Sequence, residues 1–359
     1  MPARARAERE RGRDGARRLP SGGVASGAGA ESVAGAGVSY ASVVEIQRSR
    51  LLAAAVGSID EIGYARTTVG SITDRARVSR RTFYELFTNR EECLAVVLDD
   101  VLAAVGGEFA AAGLEGLEWR ERVRTGLWVI LSFLDREPAL ARVCVVQALR
   151  GGPMVLERRE RILAALAAVV DEGRVEGGAR GRGCTPLTAE GLVGAAFMII
   201  YARLSRGERR PLADLLGELM GMIMLPYLGA AAARREQARR APAVSRNGHV
   251  TSARVAPAVI DPLEGVAMRL TYRTVRVLEG VAGYPGASNR QISEQAGITD
   301  AGQVSKLLRR LERVGLLANT GPGHVKGEPN AWQLTAKGEQ VARSIRIYQS
   351  NAHPAGTGR

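Results

Sequence analysis

The chain has 359 residues, enough for two or three domains, and its net charge of +13 favours a polyanionic partner. Its 3 cysteines, Cys93, Cys144 and Cys184, lack the spacing of a metal site or of a disulfide framework. No paired carboxylates, Ser/His/Asp order or phosphate-binding glycine loop accompanies the 3 histidines. We therefore expect no catalysis, no cofactor and no metal. Without a secretory signal or an apolar run of about 20 residues, we expect a cytoplasmic protein with no membrane contact.

Residues 1–42 alternate arginine with glycine, alanine and serine and contain almost nothing that could form a core. This composition predicts a disordered basic tail. Its arginines would attract phosphate without sequence preference, or reach into a minor groove as an arm.

The next stretch, residues 43–98, is predicted to fold into a small helical domain with a tight helix-turn-helix. Apolar residues at helical spacing in residues 52–62 predict its first helix. Thr68 and Ser79 can each cap a short helix. Because the two caps are so close together, the two helices can be joined only by a tight turn. Phe83 and Phe87 share the inner face of the third helix. Its exposed N-terminal half then consists of Arg80, Arg81, Thr82 and Tyr84.

This exposed set predicts that the third helix enters a DNA major groove. A guanidinium can bridge guanine O6 and N7, and donors near a helix N-terminus suit phosphate. The alternative is an ordinary helical bundle with two solvated arginines.

The same residues carry a family resemblance. The matching motifs are Gly63-Tyr64-Ala65-Arg66-Thr67-Thr68-Val69, Ile72, Ala76, Val78-Ser79, Thr82-Phe83-Tyr84, Phe87 and Asn89-Arg90-Glu91-Glu92. They resemble the DNA-binding domain of TetR-type repressors. The resemblance implies a DNA-binding set in which phosphates are held by Thr68, Tyr84 and Arg90, and bases are approached by Arg80, Arg81 and Thr82, with Ser79 at the helix start.

Four positions depart from the family pattern. Arg77 and Arg81 stand where glycine is usual, Thr73 where alanine is usual, and Leu86 where histidine is common. Arg77 must adopt a turn conformation that glycine takes easily, at a cost of about 1 kcal/mol. Arg81 adds charge to the reading face, so the preferred base sequence does not carry over from the family.

Residues 99–229 are predicted to be helical throughout and, by the resemblance, to form a ligand-binding and dimerisation domain. Gly191, Gly194, Gly217 and Gly221 allow close helix approach, which predicts that the last two helices form a dimer bundle; packing within one subunit is the alternative. Family position implies a pocket for a small apolar or amphipathic effector, with Arg142 as its charged residue. The predicted lining is Trp128, Phe133, Arg142, Cys144, Val146 and Phe197; the alternative is that most of these residues are ordinary core.

Residues 230–262 form an alanine, arginine and proline tract that predicts a linker, helical at its start. Residues 263–348 follow as a separate domain, and residues 349–359 as a tail. Asn289 and Asp300 are predicted helix caps in this domain, and residues 316–318 and 331–334 are predicted strands around a wing.

The element order of residues 263–348 resembles the winged helix-turn-helix of MarR-type regulators. The resemblance includes the run LLRRLERVGLL at residues 307–317 and the ending LTAKG at residues 334–338. It implies that Gln303, Ser305 and Lys306 face bases, while Arg290, Arg310 and Lys326 meet phosphates. Because winged helices also bind proteins, a protein partner is the alternative.

The predicted fold is therefore mainly all-α, a TetR-like helical repressor fold followed by a small winged-helix (α+β) domain. We predict a homodimeric, ligand-responsive, sequence-specific transcriptional regulator of double-stranded DNA, of the repressor type, associated with the nucleoid. The alternative is a non-specific nucleoid-associated protein, whose binding would be salt-sensitive with little sequence preference.

Overall fold

The structure, a computed structural model, describes residues 40–239, 259–266, 268–322 and 329–352. Most of the predicted basic tail lies outside these residues, as does Lys326 of the predicted wing. The described residues are mostly helical, with one two-stranded sheet. This arrangement confirms the predicted mainly-α fold class.

The N-terminal part of the described chain contains α1 (Tyr40–Ile62), α2 (Val69–Ala76), α3 (Arg80–Leu86) and α4 (Arg90–Ala111). We call α1–α3 and the first turns of α4 the head. The helix α1 starts before the predicted tail ends, because Ser42 and Val43 are already buried against the protein.

The predicted caps of the head are confirmed. The Thr68 hydroxyl accepts from the Ser71 amide at 3.1 Å, and the Thr68 amide donates back to Ser71 Oγ at 2.9 Å. Ser79 accepts from the Thr82 amide in the same way, and Asn89 caps α4. These caps satisfy amides that have no partner inside the helices, so the turns are fixed locally.

Arg77 closes α2 in the left-handed conformation, with φ at 53°. It is the one residue other than glycine with positive φ in the part of the chain that the structure describes. The sequence predicted this strain from the absence of the usual glycine.

The helical domain that follows consists of α5 to α12, and its core is continuous with that of the head. Its helices are α5 (Trp119–Arg136), α6 (Pro138–Ala141), α7 (Pro153–Asp171), α8 (Gly173–Glu176), α9 (Gly178–Arg182), α10 (Pro186–Ser205), α11 (Leu216–Leu228) and α12 (Ala230–Ala238). A π-helical turn, Arg142–Val146, lies between α6 and α7.

The start of residues 230–262 is helical, as predicted, but this helix, α12, packs in the helical domain instead of extending away from it. Glu236 of α12 is buried and pairs with the buried Arg124 of α5 at 3.0 Å. A Cβ at Gly221 would lie 2.3 Å from Gln237 Cγ, and one at Gly217 would lie 2.8 Å from the Gln237 carbonyl oxygen. These two glycines, predicted for the dimer bundle, instead make room for α12 within the same chain.

The second domain contains α13 (Tyr272–Gly283), α14 (Asn289–Gln295), α15 (Ala301–Arg313), β1 (Leu317–Asn319), β2 (Trp332–Leu334) and α16 (Ala336–Ala352). The two strands are antiparallel, with Leu317 opposite Leu334 and Asn319 opposite Trp332. This is the predicted element order of a winged helix. Val43 and Ile46 of α1 complete its apolar core, a contact that the sequence did not predict.

Candidate nucleic-acid interface

The exposed face of α3 is set by the aromatic residues on its inner face. Phe83 is fully buried, and its ring lies 5.4 Å from that of Phe87 and 5.5 Å from that of Tyr84. With Phe83 fixed inside, Arg80 and Arg81 of the first turn point to solvent, and Tyr84 is 59% exposed. The structure therefore brings these three predicted residues together on one open surface.

The cations of this surface are largely exposed to solvent. Arg81 pairs with Glu85 one turn along at 2.9 Å, and its side chain is 89% exposed. Such exposed pairs contribute under about 1 kcal/mol. Arg80 extends over Gly70 of α2, where a Cβ would lie 2.8 Å from its guanidinium. Both guanidinium groups remain accessible to an anion or a base edge.

The polar residues of the predicted set divide between structural and exposed roles. The hydroxyls of Ser79 and Thr82 lie 2.8 Å apart and are half-buried, so both serve the start of α3. Thr68 is exposed at the start of α2, where the positive end of the helix dipole favours an anion. Thr73, at a position where alanine is usual, is buried and donates to the Val69 carbonyl oxygen at 2.9 Å.

The implied phosphate contact of Arg90 is not supported by its position, because Arg90 faces inward. It donates to the Tyr64 carbonyl oxygen at 3.0 Å and to the Thr67 carbonyl oxygen, and its guanidinium lies 4.5 Å from the centre of the Tyr64 ring. The arginine therefore fastens the start of α4 to the connection between α1 and α2. Motif position alone could not separate this inward role from a phosphate contact.

Tyr64 also connects the head to the helical domain. Its hydroxyl donates to the Gly151 carbonyl oxygen at 3.1 Å, and its amide donates to Gln147 Oε1 at 3.2 Å. Burial raises the pKa of the Tyr64 hydroxyl. Beside it, Glu91 accepts from the Met154 amide at the start of α7, at 2.7 Å. Both residues lie in the family motif, but their partners could not be found from the sequence.

The premise that Arg142 is the charged residue of a ligand pocket is wrong. Its guanidinium makes two hydrogen bonds to Asp60 of α1, at 2.5 and 2.7 Å, and its side chain is 44% exposed. A half-buried carboxylate from a distant part of the chain already satisfies this charge. Arg142 therefore joins the π-helical turn to α1.

The other five residues of the predicted pocket are apolar and lie in or against the core. Phe133 is buried, while the other four are half-buried: Trp128, Cys144, Val146 and Phe197. Burial raises the pKa of the Cys144 thiol to about 12, so it is not a thiolate at neutral pH. A different cation lies here, since the Arg159 guanidinium is 4.5 Å from the centre of the Phe197 ring. Its buried Nε has no hydrogen-bond partner.

In the second domain, four of the six implied DNA-contacting residues are exposed: Gln303, Lys306 and Arg310 on α15, and Arg290 on α14. Ser305 is half-buried and accepts from Asn289 Nδ2 at 2.9 Å, so it does not face a base. The sixth, Lys326, lies outside the described residues.

The predicted cap Asp300 is confirmed, since it accepts from the Gln303 amide at 3.0 Å. The predicted cap Asn289 is wrong, because Ser288 caps α14. Asn289 instead accepts from Trp332 Nε1 at 2.6 Å and joins α14 to β2. Within the described ranges, no group of three or more His, Cys, Asp or Glu side chains could hold a metal ion.

Part of the chain is similar to known proteins. Residues 51–97 match the family model described as bacterial regulatory proteins of the tetR family. Uncharacterized HTH-type transcriptional regulators from Mycobacterium bovis and Mycobacterium tuberculosis are 28% identical over 178 residues, covering 49% of this chain and 79% of theirs.

Two solved structures are also similar to part of the chain. The fatty acid degradation regulator FadR from Bacillus halodurans is 18% identical with a TM-score of 0.45, covering 49% of this chain and 94% of its own. FadR from Bacillus subtilis, solved with stearoyl-CoA, is 19% identical with a TM-score of 0.43, covering 49% of this chain and 97% of its own.

Arg90→Met should lower the free energy of unfolding by about 2 kcal/mol, because it removes two charged hydrogen bonds to backbone carbonyl groups. Arg81→Met is the matched control and should change it by less than about 0.5 kcal/mol, since Arg81 is exposed. Urea denaturation of both variants measures the difference. Equal stabilities would contradict the structural role of Arg90.

Proposed function

The chain carries a TetR-type DNA-binding domain, and we propose on this basis that it is a sequence-specific repressor acting on double-stranded DNA in the bacterial cytoplasm. The observation that supports this most directly is the geometry of α3. Buried Phe83 fixes the helix, and Arg80, Arg81 and Tyr84 are exposed on one face. A fixed helix with arginines at its N-terminal half suits reading of base edges in a major groove.

The competing function is non-specific nucleoid binding, to which the net charge of +13 is equally suited. Competition by random DNA separates the two functions. A specific regulator should keep a ratio of about 10³ or more between operator and random DNA at physiological salt.

Arg81→Ala should weaken binding to an operator selected from a random pool by about 1–3 kcal/mol and relax the preference at one base pair. Binding to random DNA should change much less. Arg209→Ala, which removes an exposed arginine next to α10, is the control and should leave both affinities unchanged. Fluorescence anisotropy over a range of salt measures this. An equal loss on operator and random DNA would assign Arg81 to a phosphate instead.

The exposed face of α10 supports dimerisation. Leu187 is 71% exposed and Met198 is 53% exposed. Gly191 and Gly194 lie on the same side of the helix, and a Cβ added at either glycine would have no other atom within 4 Å. By length and composition α10, with 20 residues, could also cross a membrane, so the expectation that no apolar run is long enough to do so is wrong for this helix. Core helices of soluble proteins share this property. We propose that a second copy of the chain covers this stripe, because its small central residues allow two helices to approach closely.

Met198→Glu should raise the dimer dissociation constant by about 100-fold, because it would bury an unpaired charge within the contact. Tyr284→Glu introduces the same negative charge at an exposed position of the second domain and should leave the dimer intact. Sedimentation velocity over a range of concentrations measures both. A Met198→Glu protein that stays dimeric would rule out α10 as the interface.

We also propose that an amphipathic anion controls DNA binding through the helical domain. Trp128, Cys144, Val146 and Phe197 supply half-buried apolar surface. The adjacent Arg159 has a buried Nε with no hydrogen-bond partner. An anionic ligand could satisfy this group, as Asp60 does for Arg142.

Decanoate should stabilise the wild-type protein against thermal unfolding more than decanol does, because only the carboxylate can pair with Arg159. In Arg159→Met this difference should disappear. Arg142→Met should keep it, since Arg142 is already paired with Asp60. An undiminished preference for decanoate in Arg159→Met would show that Arg159 does not bind the carboxylate.

The second domain is proposed to add DNA contacts through α15. Lys306 and Arg310 are exposed on this helix, and Arg290 of α14 is exposed beside it with only a surface pair to Glu294, at 3.1 Å. Cationic groups held this loosely are suited to phosphate. Removal of all three charges should then reduce the salt dependence of DNA binding, whereas a protein-binding domain would leave it unchanged.

A further inference from the structure

The first helix has two buried sides, and one of them belongs to the second domain. One side of α1 carries four residues whose positions are related by steps of three and four along the helix: Val43, Ile46, Gln47 and Arg50. Val43 and Ile46 are in the apolar core of the second domain, whereas Leu51 and the following residues are in the core of the head. The helix therefore joins both cores.

Two polar side chains of α1 hold the segment that leads into α13. Arg50 Nη1 donates to the Met268 carbonyl oxygen at 3.0 Å and Nη2 to the Val266 carbonyl oxygen at 3.3 Å. Gln47 Nε2 donates to the Leu270 carbonyl oxygen at 3.0 Å. The three acceptors belong to Val266, Met268 and Leu270, and the Val266 carbonyl oxygen also accepts from the Met268 amide at 2.8 Å. The side chains of α1 thus hold this segment at three backbone positions.

Arg50 is almost fully buried, with 2% of its side chain exposed. Its Nε lies 3.3 Å from Asp261 Oδ1 as an ion pair, and the same oxygen accepts from the Leu263 amide at 2.9 Å. Burying a guanidinium is costly unless its charge and its N–H groups are matched. Here both Nη groups are hydrogen-bonded, whereas the buried Nε has only its ion pair with Asp261 and no hydrogen bond. Only the docked position of the second domain supplies the two carbonyl groups and the carboxylate together, so the contact selects one arrangement.

We propose that Arg50, with Gln47 and Asp261, is a positioning clamp that fixes the spacing between the two DNA-reading helices, α3 and α15. This inference rests on the proposed function. A domain on a flexible tether would accept many separations between two DNA elements. A domain docked through a buried charge accepts one, so each subunit would read a bipartite site with a single preferred spacer.

The test uses the full-length protein and a DNA library in which the two selected elements are separated by spacers of increasing length. The wild type should enrich one spacer at least about 10-fold over a spacer half a helical turn longer. Arg50→Met should reduce this preference below about 3-fold while still selecting the element read by α3. Arg48→Met is the matched control, because Arg48 lies on the same helix but pairs with Glu45 and Asp100.

Hydrogen exchange supplies a second measurement that does not depend on DNA. In Arg50→Met, amides between Val259 and Leu270 should exchange at least about 10-fold faster, while those of α13 to α15 stay protected. If Arg50→Met also unfolds the second domain, Asp261→Asn and Gln47→Leu are used in its place, with the same result expected.

Two results would overturn the clamp: a wild-type protein that accepts every spacer equally, or clamp variants that keep both the wild-type spacer and wild-type exchange. If the wild type selects no DNA sequence at all, the proposed function fails. Hydrogen exchange then decides the clamp by itself, as the loss or retention of protection between Val259 and Leu270 in the variants.

Discussion

The structure depends on the burial of one long helix, α1, from two sides. Its C-terminal half packs into the head through residues such as Leu52 and Ile59, and its N-terminal half completes the core of the second domain through Val43 and Ile46. Burying one such side chain contributes about 1.5–3 kcal/mol, so neither domain can lose its share of α1 without losing stability. The constraint makes α1 a common element of both potential DNA-reading units.

The parts of the fold that the sequence predicted correctly rest on local interactions. The caps at Thr68, Ser79 and Asp300 each join a side chain to an amide three residues away, and residue type reports such a contact directly. The strain at Arg77 is equally local, because it concerns one backbone angle. The periodicity of apolar residues likewise located most helices, since it reflects which face is buried and requires no knowledge of the partner.

The contacts that the sequence could not predict concern side chains whose partners lie far away in the sequence. Arg142 and Asp60 are 82 residues apart, and Arg90 and Tyr64 are 26 residues apart. An arginine in a motif looks the same whether it faces solvent, a carboxylate or a backbone carbonyl group. Only its exposure separates these cases, and exposure is a property of the folded chain. Arg81 is consequently a better candidate for DNA than Arg90, although both stand in the family motif.

The positions of three arginines show how the functional regions are connected. Arg142 joins the π-helical turn of the helical domain to Asp60 near the C-terminal end of α1. Arg90 ties α4 to the turn that follows α1, and Arg50 holds the second domain from the middle of the same helix. Because α1 is one continuous helix, it connects the π-helical turn, through the Arg142 pair, to the core of the second domain. Packed elements of this kind can carry coupling between the proposed effector region and the two proposed DNA-binding helices.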